Sequence, residues 1–376
     1  MNADECYYSI ALMLCQGIGA IGARKLVATI GSAEEVFRRR KELNEVMPDI
    51  TPQMVNALDC PEALKRAEEE MKFVERGRIT CLTFHDENYP SRLRECIDAP
   101  VVLFYKGSAN LNALRIVSMV GTRKATDYGK TFCANFVRDL ARLCPEVVVV
   151  SGLAYGVDIH AHRAALANGL PTVGVLAHGL DRIYPSTHRN TAAEMVKQGG
   201  LLTEFVSQTQ PERYNFISRN RIVAGMADAT VVVESGAKGG ALITARLAQD
   251  YQRDCFAVPG RVDAPTSEGC NQLIRDNRAG LIQNAEDLVK AMNWSSPDAI
   301  AAMQGKHQPV QRSLFVELSD DEQRIASLLS RRGDMHINAL AVETETPVGK
   351  LTALLFEMEM KGVVKTMAGG KYHLLA

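Results

Sequence analysis

The sequence predicts an α/β protein built on a doubly wound, mostly parallel sheet, and three observations carry that expectation. From residue 113 to about 290, short apolar runs alternate persistently with segments of helical period. The runs, among them IVSMV, EVVVV and ATVVV, are rich in β-branched residues and nearly free of polar ones, as strands buried on both faces must be. The glycine- and cation-bearing loops of this region all follow strands, which gathers them on the carboxyl rim where such sheets bind ligands.

A chain of 376 residues exceeds one ordinary domain of about 100–200 residues, so two or three are expected. With 46% hydrophobic and 23% charged residues it can bury a sizeable core. The net charge of -1 gives no global sign of a nucleic-acid partner, so any basic surface must be local. Nine cysteines are scattered without a CxxC pair or a His/Cys cluster at ligand spacing. That predicts neither a zinc ribbon nor a disulfide framework and fits a reducing cytoplasm. No apolar stretch approaches about 18 residues and the first residues lack a signal-peptide pattern, so no membrane span or leader is expected. Nothing suggests a cofactor or a metal.

Residues 1–76 read as helical throughout, a small domain of helix-hairpin-helix or SAM-like type. Gly17 to Gly22 form a tight glycine turn, with Arg24 and Lys25 in the first turn of the following helix. Such a turn can offer N–H groups to a DNA phosphate, or can be glycine-rich for backbone geometry alone. Between 79 and 107 the period changes to two strands, ITCLTF and PVVLFYKG, which extend the edge of the sheet.

Strand 116–120 then exits into Gly121, Thr122, Arg123 and Lys124 ahead of a helix. Turn N–H groups and the helix dipole both favour a phosphate there, although an ordinary strand exit with solvated cations has the same sequence. A second loop, ESGAKGGALITA, places Lys238, Gly239 and Gly240 at the mouth of another helix. The third feature is 213–226, where Arg213, Arg219 and Arg221 interleave with Tyr214 and Phe216. Single-stranded nucleic acid needs that mixture, charge for its backbone and flat apolar faces for unstacked bases. The same residues could instead form a core face with paired arginines.

VGTRKATDYG, VSGLAYGVDIHAH, GLDRIYPSTH, LLTEF, NFISRNRIVAGM, KGGALITA, AVPG and GCNQLIRDNRA occur here in the order of the DNA-processing protein A family, also called Smf, which the chain resembles over roughly 79–290. The resemblance implies an extended Rossmann-like domain at 79–292 that binds and protects single-stranded DNA without cutting it. It also implies help in loading the RecA recombinase during natural transformation, and a homodimer. By similarity, Gly121, Thr122 and Arg123 with Lys238, Gly239 and Gly240 would form a phosphate pocket. Arg213 and Phe216 would supply a cation and a stacking aromatic on its lip, and Arg219 and Arg221 would line it. Two departures are visible: Ile217 where the family often has proline, and Gly239 where it often has serine.

His160 and His162 form an HxH pair without further ligands, and Asp158 suits a cap or an orienting carboxylate. The run with Arg182, Tyr184, His188 and Arg189 could touch DNA or merely close its loop. Residues 293–316 read as a linker. Three helical stretches and a hairpin turning at Gly369-Gly370 then suggest a winged helix at 317–376, with Pro347 opening the recognition helix. That helix balances Lys350 and Lys361 against Glu357 and Glu359, so a protein contact suits it as well as duplex DNA. The principal rival is a nucleoside monophosphate phosphoribohydrolase on a related sheet. Its PGGxGTxxE loop is met here by KGGALITAR, which lacks the acidic residue.

Overall fold

The computed structural model describes residues 3–47, 50–294, 318–367 and 369–375. It forms two compact units, Met1–Trp294 and Ser295–Ala376. The linker expected at 293–316 lies almost wholly outside the described residues.

The first unit begins with α1 (Ala3–Leu14), α2 (Ala20–Ile30), α3 (Ala33–Arg38), α4 (Leu43–Val46), α5 (Pro52–Ala57) and α6 (Pro61–Gly77). Because α2 starts at Ala20, Arg24 falls in its second turn and not its first. The buried carboxylate of Glu5, on α1, accepts from the Ala33 and Glu34 N–H groups at the head of α3, at 2.8 and 3.1 Å. These helices share one hydrophobic core with the sheet, so the separate helical domain expected at 1–76 is continuous with the α/β domain. Two links reinforce that continuity. A disulfide joins Cys6 to Cys81, against the expectation of none, and Glu70, buried on α6, accepts from Ser207 N and Oγ at 2.9 and 2.6 Å.

The remaining elements are β1 (Thr80–Thr83), α7 (Ser91–Arg94), β2 (Val102–Gly107), β3 (Ile116–Val120), α8 (Asp127–Leu143), β4 (Val148–Ser151), α9 (Val157–Ala167), β5 (Thr172–Val175), α10 (Arg189–Gln198), β6 (Gly200–Thr203), α11 (Arg213–Gly225), β7 (Ala229–Val232), α12 (Gly240–Asp250), β8 (Asp254–Ala257), α13 (Glu268–Arg275), β9 (Gly280–Leu281) and α14 (Ala285–Ala291). The nine strands lie in the order β1-β2-β6-β5-β4-β3-β7-β8-β9. β1, β2 and β6 pair antiparallel, and all other neighbours pair parallel. Every residue of β3 is buried, as its unbroken apolar run requires. Ile116 and Val120 join a core with α11 and α12, whereas Val117 and Met119 point to the opposite face. Between β3 and β7 the strand order reverses, and their carboxyl ends open a crevice there. Below it the buried Arg92 forks onto Asp228 at 2.8 and 3.0 Å, and the same carboxylate accepts Ile116 N at 2.8 Å, which fixes the start of both strands.

The second unit comprises α15 (Asp320–Arg332), β10 (Met335–His336), α16 (Ile337–Glu343), α17 (Val348–Met360), β11 (Val364–Met367) and β12 (Lys371–Leu374), with strand order β10-β12-β11. Ser319 and Glu322 close a capping box on α15, and Ile325, Leu329, Leu340, Leu351, Leu355 and Met358 form its own core. The winged helix is therefore as expected, with the two-residue β10 added. Gly369 and Gly370 both take positive φ at the hairpin turn.

Candidate nucleic-acid interface

At the crevice between β3 and β7 lies a cleft of about 630 Å³, built from the ends of β3, β4 and β7 and from α11 and α12. Its loops brace one another. Thr122 N donates to the Glu234 carbonyl at 2.7 Å, and Val157 N donates to the Thr122 carbonyl at 3.1 Å. Gly156 has φ +76°, and a Cβ there would meet Thr122 O at 2.1 Å, so only glycine lets these two loops close.

On α11, Arg213, Phe216 and Arg219 recur every three residues and all line the cleft. Phe216 is half-buried between two cations, with Arg123 Cζ 4.8 Å and Arg219 Cζ 5.9 Å from its centroid, and the Tyr184 ring lies tilted beside it at 5.9 Å between centroids. Arg219 is buried and donates to the Val175 carbonyl, while its Nε has no hydrogen-bond partner among the described residues. Burial pulls its pKa down to about 10, with Asp158 opposing and Arg123 adding to the fall, so it stays charged at neutral pH. Asp158 is its counter-charge. Burial raises that carboxyl's pKa while Arg219 and the N–H groups of Gly152 and Ala154, at 3.1 and 3.3 Å, hold it down. Of the two readings of Asp158, a cap or an orienting carboxylate, the structure shows the side chain accepting from the loop before α9.

The opposite wall is the head of α12. Gly239 is its N-cap, and first-turn N–H groups such as those of Gly240 and Ala241 have no intrahelical acceptor and carry the positive end of the dipole. Lys238 adds an exposed ammonium. A Cβ at Gly239 would stand 2.2 Å from Ser235 Oγ, so a hydroxyl already occupies the place that a serine at 239 would fill. Arg123, Arg213 and Lys238 form no ion pair among the described residues.

Three expectations need correction. The head of α8 is not an open anion site: the buried Glu234 carboxylate accepts Thr126 N at 2.9 Å and Thr126 Oγ1 at 2.6 Å, and a Cβ at Gly129 would meet it at 2.2 Å. The protein's own anion fills that position. Arg221 does not reach the cleft either, because it faces away from Arg219, paired to Glu204 and donating to the Asp98 carbonyl. Lys124 is exposed beside the cleft without lining it. The loop after β5 divides its labour: Tyr184 faces the cleft, Arg182 pairs with Asp181 at 2.9 Å, and His178 Nε2 accepts Tyr184 N at 3.2 Å to close the turn. The HxH pair is separated in role. His162 is buried with Nδ1 2.7 Å from Thr172 Oγ1, and no metal-holding cluster occurs among the described residues.

Fold and cleft together define a doubly wound α/β protein with a cleft lined by cations and aromatic rings, followed by a winged helix. Residues 80–293 match the family described as DNA recombination-mediator protein A, and 313–370 match the DprA winged helix domain. A DNA processing protein DprA of Mycobacterium tuberculosis is 32% identical over 357 residues, 92% of this chain and 88% of its own. Protein Smf of Escherichia coli is 32% identical over 321 residues, 82% of this chain and 81% of its own. The X-ray structure of DprA from Streptococcus pneumoniae superposes with a TM-score of 0.61 at 28% identity, over 76% of this chain and 97% of that one. DprA from Helicobacter pylori, whose structure is described as showing a single-stranded DNA binding mode, superposes at 0.52 with 31% identity, over 57% and 96%. The chain belongs to the DNA recombination-mediator protein A family, which includes the DprA and Smf proteins.

Proposed function

We propose that the protein binds single-stranded DNA in the cleft between β3 and β7 and acts in homologous recombination, natural transformation included, by protecting the strand and helping to load a RecA-type recombinase. The observation that carries the reading is the convergence of Arg123, Arg213 and Lys238, all without ion pairs among the described residues, on the head of α12 and the ring of Phe216. Cations and helix N–H groups hold successive phosphates, and the aromatic takes an unstacked base. The relative from Helicobacter pylori, described as binding single-stranded DNA, supports the choice of ligand. Recombinase loading, a homodimer and a cytoplasmic site of action are further parts of this proposal, and family membership supports them.

The phosphoribohydrolase alternative gains nothing from the geometry, since both oxygens of Glu234 are spent on Thr126. Fluorescence anisotropy of a labelled oligonucleotide and its duplex over a salt series, with nucleoside monophosphate breakdown followed alongside, tests the proposal. Three phosphate contacts give a salt slope of roughly -2 for a single strand. Preference for the single strand without breakdown is the expected result. Equal affinity for duplex, or release of free base, overturns it.

A further inference from the structure

Lys124 and the loop after β4 carry the protein surface outward from the cleft, toward the place where α8 packs on α9. Gly156 lies against the backbone of Arg123, since a Cβ there would meet Arg123 C at 2.6 Å, so its neighbour Tyr155 stands beside that arginine's loop. Tyr155 does not line the cleft, yet it is 47% exposed. The buried His188 braces it, with ring centroids 5.0 Å apart at 70°, and His188 is itself fixed by donating from Nδ1 to the Leu153 carbonyl at 2.9 Å. A ring held this way while half in water is a ready stacking platform, because little side-chain freedom is left to lose.

Beyond Tyr155 the surface is cationic. His160 lies in the first turn of α9, and Arg163 follows it on the same side, exposed and outside any ion pair among the described residues. On α8, Lys130 is exposed and pairs at 2.9 Å with Asp127, whose carboxylate stands almost wholly in water, and a phosphate can displace such a surface pair. His160 records the local field: burial first, and then the charges of Arg163 and Lys130, hold its pKa below the ordinary histidine value. Those side chains therefore share one positive patch. The other carboxylate nearby, Asp158, is buried and committed to Arg219.

A single strand repeats phosphate and base, so a protein lengthens its grip by repeating cation and aromatic. The cleft sets Phe216 among Arg123, Arg213 and Lys238, and the outer surface sets Tyr155 among Lys124, Lys130 and Arg163. We propose, resting on the single-stranded DNA reading above, that the strand leaves the cleft past Arg123 and lies across this outer surface, with one base stacked on Tyr155 and its phosphates held by Lys124, Lys130 and Arg163. Contacts to backbone and ring face make this stretch indifferent to sequence.

Length separates the two stretches. Anisotropy on the full chain over a salt series compares labelled oligo-dT of about 5 nucleotides, enough for the cleft, with oligo-dT of about 15, enough for both. Three added phosphate contacts should steepen the salt slope from roughly -2 for the short strand to roughly -4 for the long one. Affinity alone does not decide, because a longer strand offers more registers to an unextended site. Tyr155→Ala should weaken the long strand about tenfold and leave the short one unchanged, and Arg163→Glu should flatten the long-strand slope toward that of the short. Both side chains are exposed, so both variants should keep the urea midpoint of the unaltered protein. A slope that does not steepen with length, or long-strand binding untouched by both variants, overturns the outer track while leaving the cleft reading intact. Equal loss on both lengths in Tyr155→Ala would place that ring in the cleft and likewise overturn the track. Absence of binding to either length overturns the parent reading itself.

Discussion

Arg123 and Phe216 cover one another in the structure, cation over ring, so each is best tested with the other in view. Arg123→Ala should weaken binding to all sequences alike and reduce the salt slope by about 1, read from anisotropy at several salt concentrations. Phe216→Ala should cost about 1–3 kcal/mol of affinity, and Phe216→Leu, which keeps apolar bulk, should lose most of the same amount if stacking is the contribution. Retained affinity in a folded Phe216→Ala protein would return the ring to a packing role. In the sequence Arg213 and Phe216 stand out as charge interleaved with aromatics and Arg123 as a cation at a glycine-bearing strand exit, and the structure brings all three to one cleft. The sequence did not separate Arg219 from Arg221, although two helical steps turn a side chain by about 200°, because which side of the helix faced the ligand was unknown. Asp158 could be suspected as an orienting group, but its partner Arg219 is 61 positions away and only the fold brings them together.

Among elements, the contrast between the heads of α8 and α12 decides where an anion can sit. Both follow strands through glycine-bearing loops, and in sequence they look alike. The carboxylate that distinguishes them comes from the end of β7, 108 residues beyond Thr126. Glu234→Ala should lower stability by about 2 kcal/mol in urea unfolding, because Thr126 N and Oγ1 lose their acceptor in a buried setting. An unchanged midpoint would mean that water or a neighbouring group takes over. Lys350 of α17 and Lys361 at its C-cap are committed to α15, Lys350 to Asp321 and Lys361 to Glu322, both at 2.6 Å, while Phe356 and Met360 are exposed. Lys350→Ala is accordingly expected to leave single-strand affinity unchanged in the same anisotropy assay. Long strands and helices were legible from period alone; the two-residue β9 and β10 are too short to carry one.

For the molecule as a whole, the alternation of elements predicted the doubly wound sheet, yet the division of the chain came out differently. Residues 1–294 share one unit because Cys6, Glu70 and the α1 core residues reach partners on the sheet, and such pairings leave no periodic trace. Acid stability is also a property of this unit. His162 donates from Nδ1 to Thr172, whose hydroxyl donates onward to Val149 O, and burial drives its pKa down to about 3. The unfolded chain, with an ordinary histidine pKa, binds a proton between pH 6.5 and 3 that the folded chain refuses. Stability therefore falls with acid across that window, by up to about 1.4 kcal/mol per pH unit from this group. His162→Leu should flatten the decline in urea unfolding at pH 4.5, 6 and 7.5, and an unaltered slope would assign it to other groups. The filled head of α8 has one more consequence. Doubly wound folds commonly lodge a dinucleotide's pyrophosphate at their first helix, and here Glu234 stands in that berth. A dinucleotide's pyrophosphate has no seat there, so millimolar NAD should leave oligonucleotide binding in the anisotropy assay untouched.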